Sequence, residues 1–529
     1  MIALAAAIAL ALPASEPVAI RHVSVVNVAN GRIQKDMTVL LADGTITAIG
    51  RKIPIEKAKV VDGTGKFLIP GLWDMHVHCC DPEYQFFFPL FLANGVTGIR
   101  DMAGPLDELK TCRTNVENGT VLGPRMVFSG PILDGPKPVW PDISIAVGTP
   151  EEGRKAVETV QQGGADFVKV YSGLSRDAYF AIAAEAKKRD MVFAGHVPEL
   201  VTAAEASDAG QKSFEHLLSL LIGCSSKEGE LRTKPAPGRT QLQLAHEIVD
   251  SYDAKKAAAL WSRFRRNGTW QCPTLTAANA LAHVDEPAFR NDPRLSCLPA
   301  DILSAWDPTK TNFLWKAFKQ DDWDANRLYF VERCEIVGMM ARSGVGILAG
   351  TDTPNPYCFP GFGIHDELAL LVKCGLTPCQ ALQAATINPA RYFGWEKKMG
   401  TVEVGKAADL VLLDANPLED IHNTAKINAV FVRGRHLDRA ALDRMLKPKS
   451  DSAALPGQKY RGLDAGQQNP RPRGEPRYTH IGAGCALRRV GRVKWRGHHA
   501  VGWRVLRIWE CDLAKHPEAC VRRIQRAVG

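Results

Sequence analysis

From residue 17 the chain alternates apolar and polar positions in short runs, AIRHVSVVN, MTVLLADGTITAIG and KVVDGTG, with Asp43-Gly44 and Asp62-Gly63 as turn-forming pairs. Successive side chains of a strand face opposite sides, so this period of two predicts antiparallel β structure. The pattern returns in GTVEVGKAADLVLLD and AVFVRGRHLD, around residues 400–438. The two flanks, 17–66 and 396–445, are expected to join in one small β-sandwich.

Between them, over 67–395, apolar strands alternate with helical stretches. The candidate strands are LIPGLWDMHVH (68–78), GVTGIRDM (95–102), RMVFSG (125–130), FVKVY (167–171), MVFAGHV (191–197), SFEHL (213–217), TWQCPTL (269–275) and VGILAGTD (345–352). Helical patterns stand between most of them, as in 150–164 and 176–190. Eight strand–helix units in series predict an α/β fold, a distorted parallel TIM (β/α)8 barrel. Residues 224–260 and 284–330 exceed what barrel helices need and are expected to be insertions near the mouth. No internal repeat is visible.

Composition changes this picture at the two ends. The net charge of +9 comes from the last segment: residues 450–529 hold 16 basic and 6 acidic side chains, leaving 50 basic and 51 acidic in 1–449. The charge therefore says nothing about the substrate of the main body, and no nucleic-acid partner is expected for the barrel. Residues 446–529, rich in Arg, Pro and Gly, are expected to be a disordered tail outside the catalytic fold. The first 16 residues, MIALAAAIALALPASE, resemble the end of a secretory signal, although no basic segment precedes the apolar run. Export to the periplasm or medium is the expectation, with the cytoplasm as the alternative. No stretch approaches the ~20 apolar residues of a membrane span. Thirteen cysteines without a CxxC pair exclude a zinc ribbon or thioredoxin-like motif.

The chemistry lies at the strand ends. His76 and His78 end the first strand, Lys169 the fourth, His196 the fifth, His216 the sixth and Asp352 the eighth. In a barrel the strand C-termini converge on one face, and residues two apart point the same way. Each residue alone has an ordinary reading: an incidental HxH, hydrogen-bonded core histidines, Asp352 as a helix N-cap, Lys169 paired with Asp166. Six together are harder to explain without a ligand, because unpartnered buried polar groups cost several kcal/mol each. Cys79 and Cys80 are expected to be packing residues. Tyr171, two past Lys169, faces the same side, as a substrate contact or a packing residue. His365 in GFGIHDEL follows the eighth strand as a further substrate-contact candidate, with a surface helix start as its ordinary reading.

GLWDMHVH, the lysine of DFVKVY, AGHVP, FEHL and AGTD, in this order, resemble the amidohydrolase superfamily, in particular its prolidase-like and imidazolonepropionase-like branch. NGVTGIRDM, LTPCQALQAATINPARYFG and GTVEVGKAADLVLLDANPLEDI extend the resemblance over about residues 17–445. It implies two divalent metal ions, expected to be Zn2+. His76, His78 and Asp352 would hold one, His196 and His216 the second, and Lys169, carboxylated by CO2, would bridge both. Lysine pKa falls readily on burial, and the neutral amine can take up CO2. The implied reaction is hydrolysis of a C–N amide or peptide bond, of a dipeptide or an N-acyl amino acid, by metal-activated water, with Asp352 as the proton shuttle. Cyclic amides, lactones or other esters are the alternative substrates. A non-catalytic scaffold and a polyanion binder driven by the tail are the alternatives of another class. Among partners, a small-molecule substrate and a homo-oligomer are expected. A GxSxG elbow and a P-loop are both absent, so serine-hydrolase and nucleotide-driven chemistry have no support.

Overall fold

The computed structural model describes residues 16–79, 84–233, 240–307 and 318–447. The N-terminal apolar run, Cys80 and nearly all of the basic tail lie outside them.

Both flanks form one sheet. Its strands are β1 (Val18–Asn27), β2 (Arg32–Ala42), β3 (Thr45–Gly50) and β4 (Lys59–Asp62) from the first flank, and β5 (Phe67–Pro70), the beginning of the expected first barrel strand, 68–78, which divides at Gly71. The middle of the chain supplies β6 (Leu72–Val77), β7 (Val96–Asp101), β8 (Arg125–Phe128), β9 (Ile132–Asp134), β10 (Ser144–Ala146), β11 (Phe167–Val170), β12 (Val192–Gly195), β13 (Ser213–Glu215) and β14 (Trp270–Cys272). The second flank adds β15 (Leu410–Leu413), β16 (Ile427–Val432) and β17 (Arg435–Leu437) to the first. The expected union of the flanks is observed, but it is edge to edge rather than face to face. β5 pairs parallel with β1 and antiparallel with β15, giving the order β17-β16-β15-β5-β1-β2-β3 with β4 beside β1. Alternation specifies which residues face a core, not whether two runs pair or stack. Val23, Val25, Val39, Leu68, Leu410, Leu412 and Phe431 make the apolar core of this sheet.

The middle strands form two parallel sheets, β6-β7-β8 and β10-β9-β11-β12-β13-β14, not one continuous closed barrel. Two interruptions separate them. The expected third strand, 125–130, ends at Phe128 as β8, and a separate short strand, β9, follows Pro131 and pairs in the other sheet. The expected eighth, 345–352, contributes only isolated bridges, Gln271↔Ile347 and Val77↔Thr353. Its backbone still bonds to both neighbours: Leu348 N–H to Gln271 O, Met75 N–H to Ala349 O and Asp352 N–H to His76 O, at 2.8–2.9 Å. Gly350 permits this approach, since a Cβ there would stand 2.5 Å from Cys272 Sγ and 2.9 Å from His76 Cβ.

The helices between the strands follow their sequence signals. Pro150–Gln162 opens on a capping box of Thr149 and Glu152, and Arg176–Lys188 on the Ser175 hydroxyl. Buried Ala156, Val157, Val160, Ile182 and Ala186 on their inner faces join the main core. The described residues of the two expected insertions are largely helical, with Glu228–Thr233 and Gln241–Asp250 in the first and Ala300–Trp306 in the second. Among the described residues no helix is long and apolar enough to cross a membrane.

Candidate active site

Four imidazoles gather at the strand ends. Ring centroids lie 5.2 Å apart for His76 and His78, 4.5 Å for His76 and His216, and 4.9 Å for His196 and His216. Asp352 reaches them from the segment after Gly350. Its Oδ1 is 3.4 Å from His76 Nε2 and 3.3 Å from His78 Nε2, and its Oδ2 is 3.6 Å from His216 Nδ1. Lys169, on β11, is buried, and its charge is felt at His76, His196, His216 and Asp352. Asp166 does not hold this lysine. Its carboxylate accepts from Arg113 Nη1 at 2.8 Å.

The backbone is strained where the site is built. His216 has φ 62°, Asp352 φ 62° and Thr274 φ 46°. Left-handed backbone at a non-glycine residue costs about 1–3 kcal/mol and persists where the surrounding structure imposes it.

Each deep histidine has one nitrogen tied to the protein. His76 Nδ1 is 2.8 Å from Glu215 Oε2, His196 Nδ1 is 2.8 Å from Ser172 Oγ, and His216 Nδ1 is 2.7 Å from Thr274 Oγ1. Buried His76 Nε2, His196 Nε2 and His78 Nδ1 have no hydrogen-bond partner in the protein. Metal-binding histidines carry this arrangement, one nitrogen oriented by the protein and the other left bare. Ligand atoms of His76, His216 and Asp352 lie within 4.8 Å of one another, close enough for one ion. Together with the unpartnered nitrogens, this donor set fits divalent cations.

A second cluster, His76, Glu215 and Cys272, satisfies the same distance rule. It does not fit a metal. Arg100 Nη2 sits 2.9 and 3.0 Å from the two Glu215 oxygens, and burial pushes the Cys272 thiol well above its ordinary value.

Burial dominates the electrostatics. It lowers His76 and His196 well below the usual imidazole value and His216 to about 4, which keeps the rings neutral and their lone pairs available. It lowers Lys169 to about 8, against the pull of Glu215 and Asp352. Burial would raise Asp352, but His216, the hydrogen bond from His78 and Lys169 outweigh it, so the carboxylate stays ionised.

Tyr171 lies beside the cluster, its ring stacked on His196 at 3.9 Å, and burial raises its phenol well above the ordinary value. Trp140 Nε1 donates to its hydroxyl at 2.9 Å. His365 is not brought to the site. It sits in the first turn of the helix Gly363–Lys373, and its Nδ1 lies 3.0 Å from Thr424 Oγ1. Buried Cys79 hangs from Asp101 by its backbone N–H at 3.0 Å.

Sequence reasoning did not single out Arg100, Glu215, Thr274 or Trp140. Glu215 had a signal, a carboxylate directly before His216 in the buried strand segment SFEHL.

The amidohydrolase family profile matches residues 67–437. The chain belongs to this family. It is 24% identical over 460 residues to an ochratoxinase from Aspergillus niger, covering 74% of this chain and 80% of that protein. It is 25% identical over 450 residues to a dihydroorotase from Pelotomaculum thermopropionicum, covering 78% and 93% respectively. A solved structure from Bifidobacterium longum, assigned as a prolidase, superposes with a TM-score of 0.62 at 25% identity, over 82% of this chain and 99% of that one.

Proposed function

We propose that this chain is a metal-dependent hydrolase of a C–N amide or peptide bond, of the dipeptide or N-acyl amino acid type. The observation that carries this reading is the convergence of four imidazoles, one carboxylate and one buried lysine, with inward nitrogens that no protein group satisfies. The likeness to an ochratoxinase and to a protein assigned as a prolidase supports it.

His76, His78 and Asp352 would hold one divalent cation and His196 and His216 a second, with zinc the natural choice for this set of nitrogen and oxygen donors. When bound, these cations acidify a water toward neutral pH and polarise the scissile carbonyl. The remaining steps belong to the side chains. Lys169, lowered by burial to about 8, is neutral in part near neutral pH. Its amine can add CO2, losing a proton as the N–C bond forms, and so become an anionic oxygen donor between the two sites. Asp352, ionised and beside His76, His78 and His216, would take the proton of the attacking water. It delivers that proton to the leaving nitrogen, which would otherwise depart as a poor anion. Tyr171 stays protonated and already accepts from Trp140, so its own hydrogen is free for the oxygen of the scissile carbonyl.

Zinc-loaded protein should be tested on a panel of dipeptides, N-acyl amino acids, cyclic amides and lactones. Turnover of a linear amide is expected. Turnover of lactones or cyclic amides alone would reassign the substrate and keep the site, and no turnover in a zinc-loaded folded protein would favour a non-catalytic scaffold.

A further inference from the structure

Beneath the histidines lies a buried charged pair that the reaction itself does not use. Arg100 and Glu215 are both fully buried, at 0% and 1% exposure. Glu215 Oε1 accepts from Arg100 Nη2 at 2.9 Å and from Ser213 Oγ at 2.6 Å. Oε2 faces Arg100 Nη2 at 3.0 Å and His76 Nδ1 at 2.8 Å. A carboxylate has about four acceptor positions, and all four are engaged. Arg100 is clamped in turn: Nε donates to Met75 O at 2.6 Å, and Nη1 donates to Ser213 Oγ and Tyr392 OH at 2.9 and 3.0 Å. The Tyr392 ring lies 5.0 Å from the guanidinium carbon.

We propose that Arg100 and Glu215 are a positioning pair for the metal centre: saturated by Arg100 and Ser213, Glu215 fixes His76 as the Nδ1–H tautomer, leaving the Nε2 lone pair for a cation, while Arg100 locks the strands of His76 and His216 in register. The tautomer follows from donor counting. Arg100 can only donate, Ser213 donates its one proton to Oε1, and a carboxylate can only accept, so the hydrogen between Glu215 and His76 belongs to Nδ1. The register follows from connectivity. Arg100 grips the carbonyl of Met75, directly before His76, and the carboxylate of Glu215, directly before His216. His196 and His216 face hydroxyls instead, which can donate or accept and leave their tautomers open. His76 is therefore the one of these three rings whose tautomer the protein fixes, and its half of the site should bind the first cation more tightly.

An ion pair this deep is weak evidence for stability, because desolvation offsets much of its attraction. Its place deep in the fold is explained by what it orients. Partners that orient a metal-bound histidine typically carry 10–100-fold in metal affinity.

This inference rests on the metal-site reading above, so its test separates the two. Zinc affinity is measured by competition with a chromophoric chelator for the wild type, Glu215→Gln and the Arg100→Met/Glu215→Gln double variant, which removes both charges at similar volume. The tighter zinc should weaken 10–100-fold in both variants. In parallel, 15N spectra of histidine-labelled, zinc-free wild type should show His76 protonated on Nδ1 and bare on Nε2. Unchanged zinc affinity in either folded variant, or an Nε2–H tautomer in the wild type, overturns the inference. If both variants fail to fold, the tautomer decides it. A folded wild type that binds no zinc refutes the metal site instead, and the tautomer still decides the role of Glu215.

Discussion

His78 Nε2 lies 3.3 Å from Asp352 Oδ1, although 274 residues separate them along the chain. The contact brings the end of the first middle strand against the segment after Gly350, and it sets Asp352 beside His76, His78 and His216. Such a carboxylate can touch both a cation and the water that attacks. Asp352→Asn keeps the shape and removes the base. A fall in kcat of at least ~100-fold is expected, the ordinary scale of general acid–base catalysis. Metal content is measured on the same sample, so that a lost ligand is not mistaken for a lost base. Full activity in metal-loaded Asp352→Asn protein would refute the role.

Lys169 should be modified when the enzyme is active. With 13C-labelled bicarbonate, the zinc-loaded protein is expected to show one protected carbamate resonance that Lys169→Ala lacks. Activity should vanish in that variant and return in part with short-chain carboxylic acids, which can supply the missing oxygen donor. An active enzyme with an unmodified lysine contradicts the bridge.

Tyr171→Phe keeps the ring on His196 and deletes the hydroxyl. If the hydroxyl serves the developing negative charge on the carbonyl oxygen, kcat should drop about 100-fold with little change in KM, the scale of a lost oxyanion donor. A rise in KM alone would make Tyr171 a substrate contact, and no change would make it packing.

Away from the site, Glu205 gives a pH-dependent stability test. Its hydrogen bonds with Arg176 come first among the causes, with Thr202 contributing, and they hold it at about 2, below its ordinary 4.5. A depressed carboxylate stabilises the fold above the unfolded pKa and loses that contribution as pH falls through the folded one. Glu205→Gln should therefore be less stable than wild type at pH 7, and the gap in denaturation midpoint should close between about pH 4.5 and 2. A gap constant over that range would contradict the assignment.

The candidate ligands were legible in the sequence because strand periodicity and strand order bring them to one face without knowledge of side-chain contacts. The helical stretches 150–164 and 176–190 were legible from local pattern too, and stand as Pro150–Gln162 and Arg176–Lys188. Pairing was not legible. Alternation in the flanks could not distinguish a sandwich from one mixed sheet, nor foresee that 345–352 would join its neighbours through isolated bridges. Arg100 in GVTGIRDM passed unnoticed because its partner, Glu215, lies 115 residues away along the chain. His365 Nδ1 meets Thr424 Oγ1, 59 residues on, a contact no local pattern foretells.

The central claim is a metal centre built by His76, His78, Lys169, His196, His216 and Asp352, and elemental analysis of protein purified with zinc tests it most directly. Close to two zinc ions per chain are expected. A correctly folded chain with essentially none would contradict it.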